Sequence, residues 1–248
     1  MISQKWSKLI RALQQKKYRK TEGLFVVEGE KAVLEVLASS WQVQALFATD
    51  DFLQRHATAA QAAAMQHSAS ADELAAVGSF QTNDAALAVV TLPEWPALTA
   101  APSGWSLMLD QINDPGNLGT LIRIADWYGI GHIICSPDTV DAFNPKVIAS
   151  AKGSFLRVQL HYQALAPLLQ QTQVPVFGAY LGGENLHQMV QMPDQGILVL
   201  GNEAKGISHE LGELITQKIT IPAFGGAESL NVGIAGAVIL DNIRRLSK

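Results

Sequence analysis

The sequence predicts an α/β protein whose larger, C-terminal part is built on a parallel sheet. Three observations predict it. Over residues 105–248, short apolar runs alternate with helix-patterned stretches, as strands covered on both faces by helices must. A proline-rich, aperiodic stretch, "TLPEWPALTAAPSG" (91–104), reads as a linker. Before it lies a shorter mixture of strand and helix patterns. The expected organisation is a small α/β domain over 1–92, a linker over 93–104 and a larger domain over 105–248.

In the first part, a helix near 3–16 should carry Trp6, Leu9, Ile10 and Leu13 on one face. A strand follows at "GLFVVEG" (23–29), then a helix over Glu30–Ala38, a strand at 43–49 and a helix from about Asp51. The alanine-rich "ATAAQAAAMQ" is helix-prone but weakly specified, and "ALAVVT" (86–91) closes the domain as a strand. In the second part, strands are expected at 105–110, 132–135, 174–180, 196–200 and 218–222. Helices are expected at Leu118–Tyr128, Pro145–Ala151, Tyr162–Gln171, His209–Leu214 and Leu230–Leu246.

Composition narrows the function classes. The chain has 248 residues, 48% of them hydrophobic and 16% charged, enough for a sizeable core. One cysteine, Cys135, excludes an intrachain disulfide and multi-thiolate zinc sites. A cytoplasmic location is expected. The first twenty residues lack the apolar core of a secretory signal, and no apolar run is long enough for a membrane span. Those twenty residues hold seven basic side chains and no acid, so the other 228 must carry −11 to give the net −4. A basic arm on an acidic body fits contact with a phosphate backbone, and it equally fits a solvated amphipathic helix.

Ligands of parallel sheets sit beyond the carboxyl ends of the strands, so the loops there carry the argument. The first is "LDQINDPGNLGTLIRIAD" (109–126). A tight turn at Asn113–Gly116 leads to Asn117 and then to a helix carrying Arg123 between apolar neighbours. That arginine is either a functional cation or a snorkelling, ion-paired one. The second is "ILVLGNEAKGIS" (197–208), where Gly201 and Gly206 bracket Asn202–Lys205 straight after a buried strand. It lacks the G-x-x-x-x-G-K-[ST] of a phosphate loop, and no dinucleotide fingerprint occurs elsewhere. The third is "ITIPAFGGAESLNVGIAGAVIL" (219–240): a strand, two glycines, a polar cluster and a buried helix. Ser229 there is either a helix cap, or a site residue, or both.

Together "NLGTLIR" (117–123), "GNEAKG" (201–206) and "IPAFGGAESLNV" (221–232), in this order and each after a strand, closely resemble the SpoU (TrmH-like) branch of the SPOUT RNA methyltransferases. The resemblance covers roughly 105–246. The first part, with "KYRKTEGLFVVEGEKAVLEVL" (17–37), is similar to the ribosomal-protein-like substrate-binding domain common in that family.

The resemblance implies a C-terminal deep trefoil knot, S-adenosylmethionine as cofactor, no metal, and a homodimer with its active site close to the dimer interface. It implies methylation of a ribose 2′-hydroxyl, with ribosomal RNA as the leading substrate. The alternatives are transfer RNA, a base or other acceptor on the same fold, or a non-catalytic RNA-binding or ribosome-assembly protein. Small residues in the last helix, Gly233, Ala235, Gly236 and Ala237, would let it pass close to other backbone. Asn117, Arg123, Glu203, Ser229 and Asn231 match the active-site positions, with Glu203 orienting Arg123 or reaching across the dimer. The cofactor is expected on backbone groups around Leu200, Gly201, Ile221 and Leu230, and RNA phosphates on Lys16, Lys17, Arg19 and Lys20.

Overall fold

The structure, a computed structural model, describes residues 1–247. The chain forms two compact units, Met1–Glu94 with Asp141–Leu156, and Trp95–Val140 with Arg157–Lys248. The first runs α1 (Gln4–Ala12), α2 (Lys16–Glu22), β1 (Leu24–Glu28), α3 (Glu30–Leu37), β2 (Val43–Ala48), α4 (Asp50–Arg55), α5 (Ala57–Ala60), β3 (Gln66–Ser68), α6 (Ala71–Val77) and β4 (Ala86–Thr91). The second opens with β5 (Trp105–Leu109), α7 (Pro115–Trp127) and β6 (His132–Cys135). The chain returns to the first unit for α8 (Pro145–Ala151), then completes the second with β7 (Gln159–Tyr162), α9 (Ala166–Gln171), β8 (Val176–Asn185), β9 (Gly196–Leu200), α10 (His209–Gly212), β10 (Gln217–Thr220) and α11 (Val232–Leu246).

In the first unit a four-stranded sheet has the order β1-β4-β2-β3, antiparallel except for the β2–β3 pair. Its core joins Ile10 and Leu13 to Phe47, Leu74, Leu87 and Val89, with Trp6 edge-on to Phe47. The helix expected near 3–16 ends as α1 at Ala12, and α2, which was not expected, follows it. Extended backbone at Gln15 separates them, and α2 stops at Gly23, whose left-handed φ of 64° suits glycine. Expectation also missed β3 and α6. Helix α6 is specified locally by a capping box, in which Ser70 and Glu73 satisfy each other's backbone N–H groups.

The segment 141–156, expected within the larger domain, groups with the first unit. There Phe143 and Phe155 pack around Phe25 and Trp41. Arg19 corrects one expectation outright. It is 2% exposed, donates to Asp141 at 2.5 and 3.0 Å, and donates to the Leu13 carbonyl at 2.8 Å. Helical periodicity turns Arg19 inward while Lys16, Lys17 and Lys20 stay exposed, so Arg19 is a structural residue and not a phosphate contact.

The second unit has six strands in the order β10-β8-β9-β5-β6-β7, every pair parallel, as expected. Strand β5 is flanked by β6 on one side and by the later β9 on the other, so strand order reverses at β5/β9. A crevice beyond the carboxyl ends at such a reversal is where α/β sheets hold ligands. The segment expected as a linker packs against this unit at Pro96 and Leu98. Leu98 exchanges hydrogen bonds of 2.6 and 3.0 Å with the Gln163 side chain, and the Pro96 carbonyl lies 2.8 Å from His161 Nδ1.

Candidate active site at the ends of β5, β9 and β10

The turn after β5 starts α7 earlier than expected. Asp114 caps the helix by accepting from the Asn117 N–H at 2.8 Å, and Pro115 occupies its first turn. Asn117 therefore stands in the first helical turn, not before the helix. Ahead of it, Gln111 adopts a positive φ of 57°. The Gln111 N–H donates to Ser136 at 2.9 Å, and its carbonyl accepts from the Asn202 side chain at 2.8 Å.

The loop after β9 is held closed by its own backbone. Asn202 and Gly206 exchange N–H to C=O bonds of 3.1 and 2.8 Å, and the Asn202 side-chain oxygen accepts from the Ala204 and Lys205 N–H groups. Gly206 sits at φ 70°. A Cβ on Gly201 would overlap the Gly206 and Ile207 backbone, so only glycine permits this fold-back. Asp110, 4% exposed, ties the loop's end down by accepting from the Ser208 N–H at 2.8 Å. Sequence reasoning passed over Gln111, Asn202 and Asp110. The G-N-E run was the only signal for Asn202, and nothing local marked the other two.

The third loop leads from β10 into α11. Asn231, not Ser229, caps that helix, its side-chain oxygen accepting from the N–H groups of Gly233 and Ile234 at 2.9 and 3.4 Å. Leu230 lies outside the helix and is 50% exposed. The glycines of α11 answer to side chains, not to another backbone. A Cβ at Gly233 would stand 3.0 Å from Thr120, and one at Gly236 3.0 Å from Leu121. They let α11 press against α7, whose start carries Asn117.

That packing joins the three loops through one polar relay. Asn231 Nδ2 donates to Asn117 Oδ1 at 2.8 Å, and Asn117 Nδ2 donates to Glu203 Oε1 at 2.5 Å. The structure thus brings together Asn117, Glu203 and Asn231. It leaves Ser229 exposed, with no hydrogen bond among the described residues. Arg123 is exposed on α7 and pairs with no described residue of its own chain, so Glu203 does not orient it there.

The residues expected around a cofactor divide. Leu200 is 1% exposed and its carbonyl accepts from Asp110 N–H at 2.9 Å, so its side chain belongs to the core. Ile221 is half-buried beside the exposed loop. From Pro222 to Leu230 no backbone group hydrogen-bonds to another described residue. A loop with uncommitted backbone donors and acceptors, next to half-buried apolar side chains, fits a ligand that is both polar and aromatic. Among the described residues, no group of three or more His, Cys, Asp or Glu stands together as a metal site, and no helix is long and apolar enough to cross a membrane.

A parallel sheet with three interlocked polar loops at its strand ends defines the ligand-binding domain of an α/β enzyme. Comparison with known proteins is specific about which. Residues 104–241 match the SpoU rRNA methylase family, and residues 7–88 match the MRM3-like substrate binding domain. The chain belongs to the SpoU rRNA methylase family. It is 31% identical to the 23S rRNA (guanosine(2553)-2′-O)-methyltransferase RlmP of Bacillus subtilis (strain 168), over 96% of this chain and 94% of that one. Among solved structures, a putative RNA methyltransferase of the TrmH family from Porphyromonas gingivalis shares 34% identity with a TM-score of 0.86, covering 99% of both chains. An AdoMet-bound rRNA methyltransferase from Sinorhizobium meliloti shares 25% identity with a TM-score of 0.83, covering 99% of this chain and 97% of that one.

Proposed function

We propose that this protein transfers the methyl group of S-adenosylmethionine to a ribose 2′-hydroxyl of ribosomal RNA, acting as a homodimer in the cytoplasm. The observation that carries this reading is the relay Asn231–Asn117–Glu203 at the strand ends, in a chain of this family. S-adenosylmethionine supplies an electrophilic methyl on a sulfonium, which a 2′-oxygen attacks in line. The residues of the chain supply position and charge. The relay holds three loops in one register, so that backbone groups of 222–230 and the apolar edges of Ile221 and Leu230 meet the cofactor in a fixed geometry. The backbone of Leu200 and Gly201 borders the same place.

Arg123 clamps an RNA phosphate and stabilises the alkoxide as the 2′-proton leaves. It does not serve as the base, because a guanidinium stays protonated near neutral pH. Arg123 shares the exposed surface of α7 with Trp127, which is 84% exposed, and Ile234 of the adjoining α11 is 53% exposed. These large apolar groups support docking of a second copy on this face, which would bring Arg123 to the partner's relay. Lys16, Lys17 and Lys20 of the first unit contact RNA phosphates. The knot implied by the family threads the segment that carries the second and third loops.

The test is methyl transfer from labelled S-adenosylmethionine to separated ribosomal and transfer RNA pools lacking the modification, with nuclease digestion to locate the label. Label in a nuclease-resistant dinucleotide from ribosomal RNA is expected. A base-linked methyl, or label in transfer RNA alone, overturns the corresponding part of the proposal. Arg123→Ala should abolish transfer and leave cofactor binding intact, and full activity in that variant would remove Arg123 from the mechanism.

A further inference from the structure

Phe224 is 90% exposed, in the same loop that ends at Asn231. Its ring lies 22° from parallel to that of His187, with centroids 6.3 Å apart. The placement follows from the sheet. Strands β8 and β10 pair in parallel with Thr220 opposite Asn185, so the residues just past both strands emerge side by side. Asn185 then fixes the turn carrying His187 by accepting its N–H at 2.9 Å. Gly225 and Gly226 follow Phe224, and a Cβ on either would meet nothing within 4 Å, so the chain beside Phe224 is uncrowded.

Two exposed, near-parallel rings beside the third loop present aromatic faces on which a planar base can stack. Side chains filling a protein interface do not need parallel faces, whereas a planar base does. Phe224 and Asn231 belong to one connection between β10 and α11, so the ring and the relay are carried by the same loop.

We propose that Phe224 and His187 form a stacking platform that grips an unpaired RNA base next to the 2′-hydroxyl being methylated. This rests on the RNA methyltransferase reading above and adds the residues that hold the substrate base. A flipped or single-stranded base stacks on an aromatic face whatever its identity, so the platform supplies grip and leaves sequence choice to other contacts.

The experiment compares the full-length protein with Phe224→Ala, Phe224→Trp and His187→Ala in three assays. These are methyl transfer to unmodified ribosomal RNA, calorimetric binding of S-adenosylmethionine, and quenching of a single-stranded RNA oligomer containing 2-aminopurine. Base–aromatic stacking of ordinary strength predicts a fall of about 5- to 150-fold in kcat/KM for RNA with Phe224→Ala, mostly through KM. Phe224→Trp should restore activity, cofactor affinity should be unchanged in all variants, and Phe224→Ala should lose the quenching seen with the wild type. Unaltered transfer and quenching in Phe224→Ala overturns the platform, as does absent quenching in the wild type. A parallel loss of cofactor affinity also overturns it, because the rings would then stack on adenine of the cofactor. Quenching that depends on Phe224, in a protein that methylates no RNA, would keep the platform and remove the reaction.

Discussion

Replacing Asn117 by alanine removes both links of the relay at once, the bond donated to Glu203 and the one accepted from Asn231. A net hydrogen bond between neutral groups contributes ~0.5–1.5 kcal/mol, and one to a charged group ~1.5–3 kcal/mol. Glu203 and Asn231 are both exposed, so water takes over the broken contacts and no buried group is stranded. The α11 cap survives, since Asn231 Oδ1 still accepts from Gly233 and Ile234. The loss of folding stability should therefore stay below about 1.5 kcal/mol, a small shift in a thermal melt.

Activity should suffer more, because loops that melt apart by a fraction of an ångström lose their shared geometry. The Asn117–Glu203 link alone, at ~1.5–3 kcal/mol, corresponds to about 10- to 150-fold in kcat. The assay is a double-mutant cycle on methyl transfer with Asn117→Ala, Glu203→Ala and the pair. A relay makes the pair little worse than the more damaging single variant. Independent, multiplying losses, or wild-type kcat in Asn117→Ala, would refute the idea that the link organises the site.

Three further outcomes follow from the geometry. Gly201→Ala forces a Cβ into the Gly206–Ile207 backbone, so the second loop must open. An overpacking cost of about 1–3 kcal/mol is expected, with weakened S-adenosylmethionine binding by calorimetry, and unchanged affinity and melting would contradict it. Arg19→Ala breaks an ion pair whose side chains are 3% and 18% exposed and leaves Asp141 half-buried without its cation. A loss of about 3 kcal/mol is expected in denaturant unfolding followed by tryptophan fluorescence, and a change under 1 kcal/mol would mark the pair as dispensable. His132 sits 3.1 Å from His161, whose other nitrogen faces the Pro96 carbonyl and so carries the proton. Burial, and then His161, hold the His132 pKa below its ordinary value. Because the native state resists a proton that the unfolded chain accepts, this stability is complete above about pH 6.5 and is lost as pH falls through the lowered value. His132→Gln should flatten the melting-temperature profile between pH 7.5 and 5 relative to wild type, and parallel profiles would show that His132 contributes nothing to it.

Much of this protein was legible in its sequence, and the reasons are local. Buried parallel strands read as apolar runs because helices cover both faces, so β5, β6 and β9 fell where expected, and the edge strand β10 fell within two residues of its expected bounds. The three loops were legible as motifs because a turn, a fold-back and a cap each need particular residues close together in the chain. Gly201 is such a case, and so is the Asn231 cluster, although the residue that caps α11 lies two positions beyond Ser229. Family membership was readable from the same three stretches.

What only the tertiary structure decided lies in contacts between residues far apart in sequence. Arg19 belongs to a run of basic side chains that looks uniform, and its burial depends on Asp141, 122 positions away. The same long-range packing moved residues 141–156 into the first unit. The relay is the clearest instance. The motifs assign Asn117, Glu203 and Asn231 to one site but not to one another, and their direct hydrogen bonds exist because Gly233 and Gly236 let α11 lie against α7. Local patterns follow from the steric and hydrogen-bonding needs of a few neighbouring residues. Which distant side chains meet is set by how the sheet orders its strands, and that order is a property of the whole core.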